Sequence, residues 1–343
     1  MTIVSPRVWS EPEAVDVQLE EHRKELTGFC YRMLGSSFEA EDAAQETLLR
    51  AWRSYDRFDG RSSLRTWLYR IATNACIDML NGRKRRAMPI DLSPSTTADA
   101  PLADPVDGTN WVEPVNDLRV LPGGGGDPAE TVELRDSIRL AFVAALQHLP
   151  PKQRAVLILR DVLAMSANEV AELLDTTVQS VNSALQRARA TIESKDLATP
   201  SAKPMDEEAK ILLTKYVDAF ERYDVESFVS LLHHDATHAM PPYPMWLVGP
   251  DEVLKWMLGP GAGCRGSRVI PVVANGCPAF GQYRPSGPGG RHEPWALHVV
   301  EIRDGAITGI TYFLDTSLFP LFGLPQHPDD WGANLHLNLR VAK

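Results

Sequence analysis

Arg70, Thr73 and Asn74 fall on one narrow polar strip of a helix turning 100° per residue, with Trp67 at its edge. The stretch that carries them, SSLRTWLYRIATNACIDMLNGRKRR (62–86), ends in a cationic cluster, Arg83, Lys84, Arg85 and Arg86. An amide pairs with base edges, an indole stacks on an unpaired base, and clustered cations neutralise phosphates. Taken alone, the segment reads equally well as a surface helix with a solvated basic tail.

A second set, Gln179, Asn182, Ser183, Gln186 and Arg187, lies on the exposed side of a helix expected from Thr177 or Gln179 to about Glu193. Ahead of it stand a capping box at Ser166-Ala-Asn-Glu169 and a turn at Asp175-Thr176. That is helix–turn–helix spacing, a pattern with many false matches, and its side chains suit major-groove base edges.

The third set belongs to the C-terminal third. Met240, Trp246, Tyr283, His298 and Asp315 are expected to face the pocket of a curved sheet. An Asp opposite a Tyr or His can move a proton next to a carbonyl; the plainer reading is that these side chains fill the pocket. His233, His234 and His238 with Asp235 invite a metal, but they sit outside any HExxH frame. No metal ligand, cofactor or catalytic residue is assigned.

The elements around these sets are mostly helical. Two helices are expected between Val15 and Arg53, parted at Gly35-Ser36-Ser37, the second burying Ala44, Leu48, Ala51 and Trp52. Its other side carries Asp42, Gln45, Glu46 and Arg50, either a solvated face or a docking surface for a basic partner. Leu64, Leu68, Ile71, Ala75 and Met79 give the next helix its apolar side. Helices resume over Glu130–Leu149 and Arg154–Val162. From Met205 a long amphipathic helix to Leu232 and a short one at Asp251–Leu258 precede strands at Arg268–Ala274, Ala279–Arg284, Trp295–Arg303 and Ala306–Asp315, with hairpin turns at Asn275-Gly276 and Asp304-Gly305.

Net charge is -10, which argues against a nucleic-acid partner until its distribution is read. Between residues 91 and 130 eight acids face a single Arg119, so acid and base are segregated. That stretch, rich in Pro, Asp, Thr and Gly, is expected to be a flexible connector, with Trp111 and Val112 as anchors. The four cysteines form no CxxC pair, and neither a signal peptide nor a bilayer-length apolar run is legible. Free thiols in the cytoplasm and no membrane contact are the expectation.

The run DAAQETLLRAW–YDRFDGRSSLRTWLYRIATNACIDML–RKRR resembles region 2 of the extracytoplasmic-function group of sigma-70 family bacterial sigma factors. LPPKQRAVLILRDVLAMSANEVAELL…VNSALQRAR resembles region 4 of the same family. LLTKYVDAFERYDVESFVSLLHHDATHAMPPYPMWLVGP, with NGCPAFGQY and ITGITYFLD…LFPLFGLP, resembles a SnoaL-like domain. The resemblance implies two all-α sigma domains, the second with a helix-turn-helix, and an α+β cone. It implies a promoter-directing subunit of RNA polymerase with the clamp helices of the largest subunit and the flap as partners, and with Asp42, Gln45, Glu46 and Arg50 on the helix that docks on the clamp helices. It gives the −10 element to Arg61, Ser63, Trp67, Arg70, Asn74 and Arg83–Arg86, and the −35 element to Gln179, Asn182, Ser183, Gln186 and Arg187. Asn81-Gly82 departs from the family pattern. The expected divisions are 13–90, 91–130, 131–195, a hinge at 196–205, a regulatory domain at 206–325 with room for a small-molecule ligand, and a tail at 326–343. The rival reading is an isomerase- or cyclase-like enzyme tethered to DNA.

Overall fold

The structure, a computed structural model, describes residues 12–107, 110–122, 128–194 and 206–331. Gly123–Gly126, the hinge at 196–205 and residues 332–343 of the expected tail lie outside the described residues.

The first domain is built from α1 (Pro12–Glu20), α2 (Arg23–Leu34), α3 (Ser37–Ser54) and α4 (Leu64–Leu80). Ser36 starts α3 by accepting the Glu39 N–H at 3.2 Å, and Ser63 starts α4 by accepting that of Thr66 at 3.0 Å. Between them, Phe58 and Trp67 pack with ring centroids 5.1 Å apart over the turn at Tyr55–Arg57. The buried arc of α4 is wider than the apolar spacing suggests. Leu68, Tyr69, Ala72, Ala75 and Cys76 are inside, while Leu64, Ile71 and Met79 are half-buried. The cause is tertiary: α2 and α3 pack on α4, and so do two helices of the second domain.

That second domain comprises α7 (Pro128–Asp136), α8 (Leu140–Leu146), α9 (Pro151–Leu157), α10 (Ala167–Leu173) and α11 (Val178–Glu193), with α5 (Pro89–Leu92) and α6 (Asp117–Val120) in the connector before it. The single helix expected over Glu130–Leu149 breaks at Ser137–Arg139, where Arg139 turns to a ψ of 142° ahead of α8. Arg32 of α2, fully buried, donates to Ser137 Oγ at 2.6 and 3.0 Å. Arg154 of α9 donates to the Met33 carbonyl of α2 and to Gln147 Oε1 (2.6 Å). Burial pushes both guanidinium pKa values down to about 10. The two domains share one continuous core.

The C-terminal domain places α12 (Glu207–Arg222), α13 (Val225–Val229) and α14 (Pro250–Leu258) against a six-stranded sheet of order β2-β1-β6-β5-β4-β3. Its strands are β1 (Leu232–Ala239), β2 (Trp246–Val248), β3 (Arg268–Ala274), β4 (Cys277–Arg284), β5 (Glu293–Arg303) and β6 (Ala306–Phe313). β1 and β6 run parallel, and the other neighbours antiparallel. The helix expected through Leu232 ends at Tyr223, which takes a left-handed φ of 57°. The side chains of Phe280, Val300, Ile310 and Tyr312 belong to the core shared with these helices. Tyr283, Leu297, Val299 and Phe313 join Phe319, Phe322 and Leu324 in the core continuous with the sigma domains.

The connector corrects the expectation of a flexible tether. Thr96 N–H donates to the Trp246 carbonyl (2.9 Å), Ala98 N–H to Glu252 (2.7 Å) and Val106 N–H to the Pro242 carbonyl (2.8 Å), so residues 93–106 run along the C-terminal domain. Trp111, Val112, Val115 and Val120 are buried. At Gly28 a Cβ would stand 2.6 Å from the Val120 carbonyl oxygen, so only glycine lets α6 cross α2 this closely.

Candidate nucleic-acid interface

On α4, Arg70 and Asn74 are exposed one turn apart and form the open polar face. Thr73 leaves that face: it is buried, and its hydroxyl donates to the Tyr69 carbonyl at 2.7 Å. Trp67 is half-buried against Tyr55 and Phe58, and Ser63 spends its oxygen on the cap. Arg61 is exposed and held by Asp59.

The basic cluster divides. Lys84 is exposed, Arg83 is paired with Glu39, and Arg85 donates to His148 Nδ1. Arg86 corrects the reading of four phosphate contacts. It is only 7% exposed, lies 3.0 Å from Glu39 and 3.4 Å from Glu113, and donates to the Trp111 carbonyl at 2.8 Å. Its charge holds the connector to α3.

The second face is open. Thr177 caps α11 through the Ser180 N–H (3.1 Å), and the Ser166–Glu169 box opens α10. Gln179, Asn182, Gln186 and Arg187 are exposed along α11, with Ser183 half-buried. Val181, Leu185 and Ala188 fix the helix from below. On α3, Asp42, Gln45 and Arg50 are exposed and Glu46 is half-buried, bonded to Arg50 at 2.7 Å. Trp52, expected inside, is 50% exposed, and Leu49 is 42% exposed beside it. Apolar type alone places Trp52 in the core, whereas the helix sets it with Leu49 on the same side as Asp42, Gln45 and Arg50.

The pocket candidates do not converge. Trp246 donates its indole N–H to the Ser93 carbonyl (2.8 Å) and so clamps the connector. Tyr283 points to the other side of the sheet and donates to the Pro325 carbonyl (2.8 Å). Asp315 caps the turn that follows β6 by accepting from the Ser317 N–H (2.9 Å). His298 is fully buried, between the Tyr216 hydroxyl (2.9 Å) and Gln282 Oε1 (2.8 Å), and burial pushes its pKa down to about 3. Of the five, Met240 alone lines the cavity. The ligating atoms of His233, His234 and Asp235 gather within 4.8 Å at the start of β1, while His238 is buried elsewhere in the cone.

One residue that sequence reasoning treated as mere turn chemistry joins all three domains. Asn275, at the tip of the β3–β4 hairpin with a left-handed φ of 56°, is fully buried. Its backbone N–H and side-chain Oδ1 pair with the carbonyl (3.0 Å) and N–H (2.9 Å) of Val115 in the connector. Its Nδ2 donates to the Tyr31 hydroxyl of α2 (2.7 Å) and to the Ile138 carbonyl before α8 (2.6 Å). Next to it the Gly276 N–H donates to Asp117 Oδ1 (2.9 Å).

Burial raises the Asp117 pKa to about 6, against the opposing pull of Gly276 and Arg135. The folded chain therefore keeps a proton between the ordinary carboxylate range and about pH 6 that the unfolded chain has released. Stability is lost as pH rises through that window. Asp117→Asn, which keeps the acceptor without the charge, is expected to raise Tm at pH 7 and flatten its pH dependence. Melting curves between pH 4.5 and 7.5 check this; an unchanged slope overturns it.

A family model for sigma-70 region 2 matches residues 19–86, one for sigma-70 region 4 matches 139–192, and one for a SnoaL-like domain matches 213–310. The ECF RNA polymerase sigma factor SigG of Mycobacterium tuberculosis is 44% identical over 315 residues, covering 90% of this chain and 83% of its own length. The chain belongs to the extracytoplasmic-function sigma factors. It is an RNA polymerase sigma factor with a SnoaL-like C-terminal domain. SigJ of the same organism is 26% identical over 303 residues, covering 85% of this chain and 89% of its own length. The crystal structure of SigJ shares the fold, with a TM-score of 0.57 at 23% identity over 92% of this chain and all of that one. SigW of Bacillus subtilis matches the sigma half, at 34% identity over 168 residues, 49% of this chain and 81% of SigW. Sigma factors of this family bind core RNA polymerase and promoter DNA and are not enzymes, although the SnoaL-like fold also occurs in enzymes. Among the described residues no helix is long and apolar enough to cross a membrane.

Proposed function

We propose that this sigma factor reads its promoter with Arg70 and Asn74 of α4 at the −10 element and Gln179, Asn182, Gln186 and Arg187 of α11 at the −35 element. Its C-terminal domain holds the two readers closed until the polymerase takes them up in the cytoplasm. The polar stripe of α3, Asp42, Gln45 and Arg50 with the half-buried Glu46 and the exposed Leu49 and Trp52, is the dock for the clamp helices. Lys84 and Arg85 meet phosphates, and Arg86 does not. The divisions at 90, 130, 195 and 205 serve as working boundaries.

The observation that carries this reading is the burial of Asn275 among the connector, α2 and the start of α8. Elements named −10 and −35 are about 25 base pairs apart, roughly 85 Å at 3.4 Å per step. Two domains that share one core cannot occupy both. A closed chain must open, and the Asn275 turn fastens it.

Run-off transcription with core polymerase tests the reader assignment. Asn182→Ala is expected to cost about 1–3 kcal/mol of discrimination at the upstream element. Equal loss on a scrambled element would show that Asn182 touches only backbone.

A further inference from the structure

Three side chains able to ligate a metal, and unused by the promoter chemistry, meet at the start of β1: His233, His234 and Asp235. In a regular strand consecutive side chains point to opposite faces, so three in a row cannot gather. Here the strand is not regular. Leu232 pairs with Ile307 and Thr237 with Gly309, so β1 advances five residues while β6 advances two. The surplus residues bulge out of the ladder, and a bulge re-aims the side chains it carries. Its inner side is pinned, for Ala236 is 1% exposed and its carbonyl accepts the Gly249 N–H at 2.9 Å. A Cβ on Gly249 would stand 3.0 Å from the His234 carbonyl oxygen, and this residue holds a φ of 85°, so glycine lets the end of β2 approach the bulge. The side chains of His233, His234 and Asp235 are left outside, 41%, 82% and 63% exposed.

Their spacing is that of a chelate. Asp235 Oδ1 lies 2.8 Å from His234 Nε2 and 3.6 Å from His233 Nδ1, and the three ligating atoms fall within 4.8 Å of one another. Zinc bonds of 2.0–2.2 Å at tetrahedral angles put neighbouring ligand atoms roughly 3.3–3.6 Å apart. Small side-chain rotations therefore close the site. The Asp235 N–H reaches His233 Nδ1 at 3.4 Å, a long bond that competes weakly. Charge agrees with spacing. Among the described residues the Asp235 carboxylate pairs with no Lys or Arg, and its ion-pair partners are these two histidines. Two imidazoles and a carboxylate suit zinc and its transition-metal neighbours, whereas Mg²⁺ and Ca²⁺ take sets of oxygens.

We propose that this bulge is a surface site for one divalent transition-metal ion of the zinc class, held by His233, His234 and Asp235 with water completing its shell. It lies outside the HExxH frame because a bulge, not a helical turn, gathers the ligands. The site is independent of how the promoter is read, and its test reads metal binding.

Equilibrium dialysis of the full chain, stripped with chelator and carrying no affinity tag, against zinc chloride supplies that test. One Zn²⁺ per chain is expected, with a dissociation constant on the order of 1–10 μM, weaker than closed four-ligand structural sites. His233→Ala, His234→Ala and Asp235→Asn are each expected to weaken binding at least about tenfold. Melting curves in chelator are expected to coincide for all three, since these side chains face solvent. Cys264→Ala, which removes the half-buried thiol, is expected to leave the affinity unchanged. Magnesium chloride at about a thousandfold excess is expected not to displace the zinc. Zinc held as tightly by any of the three variants, binding lost with Cys264, displacement by magnesium, or no uptake at ~100 μM free zinc would each overturn the proposal.

Discussion

Asn275→Ala is expected to raise promoter-dependent output and core-polymerase affinity together, without changing which promoter is chosen. The substitution keeps the backbone bond to Val115 but removes three side-chain bonds. It leaves the Val115 N–H and the Ile138 carbonyl, both on buried residues, without those partners. At ~1 kcal/mol for each lost bond, more where a buried group is orphaned, the loss is on the order of 3–5 kcal/mol. Alanine also tolerates the left-handed φ poorly, which adds about 1 kcal/mol. A shift of this size moves a closed–open equilibrium by two orders of magnitude or more. The effect is confined to the turn, because β3 and β4 pair along their whole length from Arg268–Tyr283 to Ala274–Cys277. Hydrogen exchange is expected to rise at Val115 and around Ile138 while the sheet stays protected. A chain that exchanges faster there yet transcribes no better would remove the restraint. A folded chain that transcribes less would mean that the domain assists.

The residues involved explain what the sequence made legible. Helix starts are local chemistry, so the Ser166–Glu169 box, the Asn275-Gly276 turn and the open face of α11 could be read directly. Long-range partners could not. Nothing near Arg86 announces Glu113, which lies 27 residues on, and nothing in Thr96 or Ala98 announces β2 and α14. A stretch poor in large apolar residues reads as a tether, yet hydrogen bonds from its backbone hold it in place. β1 was missed because LHHDATHA alternates too weakly to signal a strand. The pocket failed on phase: alternation along β4 was taken in the wrong register, placing Tyr283 inside where its neighbour Gln282 stands.

The basic cluster gives the sharpest separation of structural from DNA-facing charge. Arg86→Ala removes the cation shared by Glu39 and Glu113 and the donor to the Trp111 carbonyl. Burial already raises the Glu113 pKa against the pull of Arg86. Without Arg86, that carboxylate keeps only Ser36 Oγ (2.7 Å) and the Ser37 N–H (3.0 Å). Breaking a buried pair by deleting one partner costs about 3–5 kcal/mol, here toward the lower end because both carboxylates retain some exposure. A loss of ~3 kcal/mol would lower Tm by about 4 °C, at an unfolding entropy of about 2.1 cal/mol/K for each of 343 residues. Lys84→Ala, next to it but exposed, is expected to leave Tm within about 1 °C. DNA binding by the polymerase-bound factor is expected to report the opposite order. Lys84→Ala should lower the slope of log affinity against log salt by ~1, as loss of one phosphate contact requires, while Arg86→Ala should leave that slope unchanged in whatever fraction remains folded. If Arg86→Ala changed the salt slope and spared the melting temperature, the buried ion pair would not be what holds the connector, and the cluster would act as one phosphate-binding unit after all.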